Sequence, residues 1–152
     1  MSRPLSPGST IGIIGGGQLG RMLAMAAARL GYHTVILEPQ PDCPAAQVAN
    51  QHIVAAYDDE AALDELARLC AVITYEFENV PVSAANRLAE TVPVLPPPRA
   101  LEMAQDRLTE KTALNDMGIA TVRFVTVDCD ADLAAGLGEF GGNGVLKTRR
   151  LG

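Results

Sequence analysis

The segment from Thr10 to Leu37 limits the fold more than any other part of the chain. Thr10-Ile-Gly-Ile-Ile14 is a compact β-branched run, and it passes without a break into Gly15-Gly-Gly17-Gln-Leu-Gly20. From there Leu19, Met22, Leu23, Ala26, Ala27 and Leu30 recur at helical spacing. Gly31 follows as a residue able to take positive φ after a helix. His33-Thr-Val-Ile-Leu37 then reads as a second strand, ending at Glu38-Pro39. A strand, a glycine turn, a helix and a strand in this order make a β-α-β unit, which implies parallel strands and a right-handed crossover.

The alternation continues downstream. Residues 45–50 read as a short helical segment and 53–56 as a strand, and Asp58 and Asp59 can cap a helix carrying Leu63, Leu66 and Leu69. Residues 71–75 form a fourth strand, 83–90 a helix, and Val92 and Val94 a last short strand. The fold class is therefore α/β, with an open parallel sheet of about five strands over residues 1–96. Pro96-Pro97-Pro98 can continue neither a helix nor a central strand and marks a boundary. Beyond it, residues 99–117 read as helical, with Asp106 a possible internal N-cap and Gly118 a C′ residue. Strands at 122–127 and 145–147 flank a helix at 131–137, too little for a second domain. Residues 97–152 read as connector helices and the truncated beginning of one.

Composition excludes several classes. Of 152 residues, 48% are hydrophobic and 20% charged, too apolar for disorder. No apolar run approaches the roughly 20 residues that span a bilayer, and the opening eight residues lack the apolar region of a signal peptide. A cytoplasmic protein is expected. The formal charge is −6, with six arginines against ten acids up to residue 100. With no basic stripe, nucleic acid is not an expected partner. Cys43, Cys70 and Cys129 are far apart and do not cluster with His33 or His52, so no zinc site is expected and three reduced thiols are.

Four stretches carry chemistry. Gly15, Gly17 and Gly20 give the turn, the close backbone approach and the tight helix–sheet packing of a phosphate cradle, with free amides and the positive end of a helix facing an anion. Glu38, 18 residues beyond Gly20, stands where a ribose-binding acid would stand. A dinucleotide, another phosphorylated ligand and a purely structural turn all fit. Gln18 can hydrogen-bond beside such a phosphate, or simply face solvent. Tyr75-Glu76-Phe77-Glu78 follows a strand, and ligands gather at strand carboxyl ends. Two carboxylates two residues apart point the same way, with Phe77 opposite; they suit an amine, a ribose hydroxyl or a cation, or merely line an acidic loop. Arg107 and Lys111, with Asp106 and Glu110 nearby, have the i, i+4 spacing of a solvated ion-pair face. Lys147 ends an apolar strand, where it can meet a nucleotide phosphate or block edge pairing.

In order and spacing, Gly15-Gly-Gly-Gln-Leu-Gly-Arg-Met-Leu23, Ile73-Thr-Tyr-Glu-Phe-Glu-Asn-Val-Pro81, Gln105-Asp-Arg-Leu108 with Glu110-Lys111, and Val145-Leu-Lys-Thr-Arg-Arg150 resemble the 5-(carboxyamino)imidazole ribonucleotide synthase family of ATP-grasp enzymes. The resemblance spans almost the whole chain. It implies a Rossmann-like pre-ATP-grasp domain over residues 1–96 and the start of an ATP-grasp domain over 97–152. It further implies a ligase of purine biosynthesis: ATP phosphorylates bicarbonate to carboxyphosphate, and the amine of aminoimidazole ribonucleotide attacks the activated carbon, releasing phosphate. On the same ground, Gly15, Gly17, Gln18, Leu19 and Glu76 resemble substrate-binding positions rather than a dinucleotide site, and Arg107 and Lys147 look like ATP contacts. The family's glycine-rich phosphate loop and its acidic Mg2+ ligands lie beyond residue 152, so this chain is expected to be an amino-terminal fragment without ligase turnover, and its parent a homodimer. Formate-dependent glycinamide ribonucleotide transformylase shares the β-α-β start and the strand-end acid, although Gln18 and the Tyr-Glu-Phe-Glu-Asn-Val wording favour the first family. A regulatory NAD(P)-binding module built on Gly15–Gly20 and Glu38 is the reading from another class.

Overall fold

The computed structural model describes residues 4–151; residues 1–3 of the opening segment and residue 152 lie outside it. The chain divides into two compact units, residues 1–102 and 103–152.

In the first unit, β1 (Thr10–Ile14), β2 (His33–Leu37), β3 (Gln51–Ile53) and β4 (Val72–Tyr75) form one sheet in the order β3-β2-β1-β4. All three pairings are parallel, with Gly12 in register with Val35 on one side and Ile73 on the other. Successive strand residues alternate between faces, and this divides the core in two. Ile14, Val35, Leu37, Ile53 and Ile73 pack with Leu63 and Leu66 of α2 (Glu60–Leu69) and Leu88 of α3 (Val82–Ala89). Ile13 and Ile36 point to the other face, against Ala24 of α1 (Gln18–Arg29) and Cys43 and Ala45 of the following turn segment. Asp59 caps α2 by accepting the Ala62 amide at 2.9 Å.

Several elements differ from the sequence reading. Helix α1 buries Gly20, Ala24 and Ala27, while Leu19, Met22, Leu23, Met25 and Leu30 stay exposed. The reason lies at Gly20, where an added Cβ would come within 2.7 Å of the Gly15 carbonyl oxygen. The helix sits too close to the loop and sheet for anything but small residues on that side. Residues 45–50 form turns rather than a helix, and the fifth strand is reduced to a single parallel bridge between Val94 and Ile73.

The second unit is helical where it is regular. Helix α4 (Pro98–Ala104) starts before its boundary; α5 (Arg107–Asp116) and α6 (Asp130–Glu139) lie within it. The helix expected over 99–117 is thus broken at Gln105-Asp106. Asp106 is the N-cap of α5, accepting the Leu108 and Thr109 amides at 2.9 and 3.1 Å, and Gly118 follows at φ +79°. Residues 122–127 and 145–147 form no strands among the described residues. A strand exists through its ladder partners, and Val122 and Val145, each 81% exposed, have none here. Among the described residues, no helix is long and apolar enough to cross a membrane.

Candidate functional site

The parallel register of β1 and β4 sets the end of one strand beside the end of the other. The Glu76 amide donates to the Ile14 carbonyl at 3.1 Å, and the Gly15 amide to Leu37 at 3.0 Å. Gly15 turns the chain at φ +105°, a conformation that favours glycine. The Glu76 carboxylate then reaches the first turn of α1: Oε1 accepts the Gly17 amide and Oε2 the Gly20 amide, each at 2.7 Å. An acid in this position is favoured by the free amides and by the positive end of the helix dipole.

This geometry changes the meaning of the glycine spacing. The amides that the sequence offers to a phosphate are held by Glu76, so a phosphate in that place would have to displace it. The structure brings Gly15, Gly17 and Glu76 together. Gln18 and Leu19 begin α1 with exposed side chains and do not line the adjacent cleft. Glu78 does not join Glu76: it is exposed and accepts the Asn79 side chain at 3.5 Å. Strand β4 has ended at Tyr75, so alternation no longer governs, and Phe77 turns into the cleft rather than away from it.

The cleft has a volume of about 210 Å³ and is walled by Gly16, Gly17, Glu38, Gln40, Cys43, Pro44, Tyr57, Glu76 and Phe77. Glu38 is committed within the fold. It accepts the Gly16 amide at 2.9 Å, the Gln40 amide at 3.0 Å and the Tyr57 hydroxyl. Tyr57 packs its ring on Phe77 with centroids 5.5 Å apart. Sequence reading missed Tyr57, although it stands just past the carboxyl end of β3 as Glu38 and Glu76 stand past β2 and β4. The strand-end rule, applied to every strand, would have found it. The structure also overturns the separation of histidines from cysteines. His52 Nε2 lies 3.9 Å from Cys43 Sγ and 3.1 Å from the Glu38 carbonyl, because β3 pairs with the strand that ends at Glu38. Among the described residues, no three His, Cys, Asp or Glu side chains gather as metal ligands.

Burial raises the Glu38 carboxyl, but the Tyr57 hydroxyl, the Gln40 and Gly16 amides and the charge of His52 more than offset it, so its pKa lies below the ordinary 4.5. A carboxyl depressed in the folded state adds stability above its unfolded pKa, and that stability is lost as pH falls through the lower folded value. Tyr57→Phe removes the largest of the lowering contacts. The stability difference between wild type and Tyr57→Phe is therefore expected to be largest above 4.5 and to shrink on further acidification. Urea titrations across that range measure it, and a difference that does not change with pH contradicts the assignment.

In the second unit, the expected solvated ion-pair face is replaced by longer-range contacts. Asp106 is 6% exposed and pairs with Arg149, whose Nη2 lies 2.7 Å from Oδ2. This guanidinium, together with the capping amides, holds the Asp106 carboxyl below its ordinary pKa against the opposing effect of burial. Lys111 donates to the Val122 carbonyl at 3.1 Å and lies 4.8 Å over the Phe124 ring. Arg107 opens α5, and its Nε is buried with no hydrogen-bond partner among the described residues. Lys147 is exposed.

Comparison with known proteins gives a consistent set of likenesses. Residues 8–105 match the family described as the ribonucleotide synthetase preATP-grasp domain. The chain is 70% identical over 148 residues to N5-carboxyaminoimidazole ribonucleotide synthase of Brucella melitensis, covering 97% of this chain and 41% of that protein. A crystal structure of the ADP complex of an N5-carboxyaminoimidazole ribonucleotide synthetase superposes with a TM-score of 0.96 at 41% identity, covering all of this chain and 40% of that one. The Aspergillus clavatus N5-carboxyaminoimidazole synthase, solved with ADP and 5-aminoimidazole ribonucleotide, superposes at 0.80 with 30% identity, over 89% of this chain and 37% of its own. The chain thus spans about two-fifths of the length of the relatives it matches.

Proposed function

The chain belongs to the ribonucleotide synthetase pre-ATP-grasp family, and from that premise we propose that it is the amino-terminal part of an ATP-dependent ligase that carboxylates aminoimidazole ribonucleotide with bicarbonate. Residues 1–96 are its substrate-side domain, and residues 97–152 the connector and the first part of its ATP-binding domain.

The observation that carries this reading is the Glu76 carboxylate fixed across the Gly17 and Gly20 amides at the cleft. An ionised carboxylate only accepts hydrogen bonds and has about four lone-pair positions, of which the loop uses two. Those that remain suit ribose hydroxyl donors. The volume agrees: about 210 Å³ is smaller than the roughly 300–1,000 Å³ of pockets that enclose drug-sized ligands. A sugar ring fits, and the base and phosphate of a ribonucleotide extend beyond it. Gly15 and Gly17 shape the site, while Gln18 and Leu19, exposed on the first turn of α1, are assigned to the part of the ribonucleotide that extends beyond the cleft.

The same geometry disfavours a dinucleotide. Pyrophosphate binding needs the α1 amides that Glu76 holds, and a ribose acid needs a Glu38 that Gly16, Gln40 and Tyr57 have engaged. For the nucleotide, Arg107 and Lys147 supply cations to the ATP phosphates, and the unpartnered Nε of Arg107 is a donor that an anion would satisfy. Magnesium, when bound, neutralises phosphate charge during phosphoryl transfer; its ligands are assigned to residues outside this chain. The complete protein is proposed to be a cytoplasmic homodimer.

The test is a coupled assay on the complete reading frame. ADP release is expected only when aminoimidazole ribonucleotide and bicarbonate are both present, and none is expected from residues 1–152 alone. Turnover with glycinamide ribonucleotide and formate instead, or stabilisation of the protein by NAD(P) and not by the ribonucleotide, would overturn the proposal.

A further inference from the structure

We infer that Asp106 is a positioning residue for the nucleotide, acting through Arg149 to hold the Arg107 and Lys147 segments together before ATP arrives. The inference rests on the assignment of those two cations to ATP.

Asp106 has more contacts than a helix cap requires. Asp59 caps α2 from an exposed position, with one bond to the Ala62 amide. Asp106 caps α5 with two amides and is nevertheless 6% exposed. A buried carboxylate is costly unless paired and fully hydrogen-bonded. The pairing comes from Arg149, 43 residues away: Nε donates to Oδ1 at 3.2 Å and Nη2 meets Oδ2 at 2.7 Å. Such a two-pronged guanidinium contact fixes orientation as well as distance. A second link closes beside it, because the Arg107 amide donates to the Arg149 carbonyl at 2.9 Å. Arg149 is therefore held by side chain and backbone at the first turn of α5.

The consequence concerns Lys147. It stands two residues before Arg149, within about 7 Å of chain even when fully extended. Anchoring Arg149 thus keeps Lys147 near Arg107, which carries the buried unpartnered Nε. Arg150 Nε also lies 3.8 Å from Asp106 Oδ2. One carboxylate opposes several cations that would otherwise repel one another, and the 43-residue closure is made between groups of the protein alone. Ordering completed in advance strengthens binding.

The experiment uses the complete reading frame and measures Mg·ADP affinity, KM for ATP, KM for the ribonucleotide and the melting temperature without ligand. Asp106→Asn keeps a good N-cap but loses the ionic partner of Arg149. It is expected to weaken ADP binding and raise KM for ATP about tenfold, with the ribonucleotide KM within about twofold of wild type. Arg149→Met should match it, and the double variant should be no worse than either single one, since both break the same link. Arg149→Lys, which keeps the charge without the fork, should recover part of the loss. Three outcomes overturn the inference while leaving the function intact: unchanged ADP affinity in Asp106→Asn, additive losses in the double variant, or a lowered melting temperature with both KM values unmoved. A wild-type protein that binds no ADP overturns the nucleotide assignment, and the inference falls with it.

Discussion

Gly15→Val is expected to lower the melting temperature by roughly 8–48 °C and to abolish ribonucleotide binding. Two penalties combine at this position. The backbone φ of +105° is unfavourable for a β-branched residue and costs about 1–3 kcal/mol. A Cβ would also stand 2.4 Å from Glu76 Cγ and 2.9 Å from its Oε1, and such overpacking costs about 1–3 kcal/mol more. For a unit of about 100 residues each kcal/mol is worth roughly 4–8 °C. Gly8 provides the control. Its φ is +88°, but nothing lies within 4 Å of an added Cβ, so Gly8→Val carries the backbone penalty alone. Thermal unfolding of the two variants separates strain from contact, and equal melting temperatures would refute the close approach of Glu76.

Glu76→Gln is expected to weaken ribonucleotide binding about 100-fold. The substitution keeps the shape and removes the charge. An amide has one acceptor oxygen, so it can satisfy either Gly17 or Gly20, and its NH2 group then faces the other amide, donor against donor. Hydrogen bonds to charged groups contribute about 1.5–3 kcal/mol each, and 1.4 kcal/mol is a factor of ten; losing the ribose contact and the orientation of the loop together gives about two decades. Calorimetric titration with aminoimidazole ribonucleotide measures this directly. A variant that loses stability but binds the ribonucleotide as tightly as wild type would make Glu76 a brace for the loop and nothing more.

What could be read in the sequence follows from how local each feature is. The β1-loop-α1-β2 order was legible because strand, glycine turn and helix each declare themselves within a few residues. The buried face of α1 was not, because hydrophobic spacing assumes that the largest apolar side chains face inward, whereas the approach at Gly20 admits only small ones. The expected strands at 122–127 and 145–147 failed since pairing needs a partner that local composition does not reveal. At the site, the strand-end position of Glu76 was readable, but its attachment to amides 59 and 56 residues away was not. Asp106 was legible as the N-cap it is, but its ion pair was not. Its neighbours at helical spacing suggested a solvated charged face, and its actual partner lies 43 residues further on.

The close seat of α1 inverts the usual relation between hydrophobicity and mutational tolerance. Gly20, Ala24 and Ala27 leave no volume to spare, so the least conspicuous residues of this helix are the least replaceable. Leu19, at 57% exposure, and Leu30, at 69%, lose little on exchange for polar residues, and Met22, Leu23 and Met25 share their exposure. A library that randomised the helix would recover polar substitutions along this stripe and few enlargements beneath it. The apolar character of this stripe therefore contributes little to the folding of this unit.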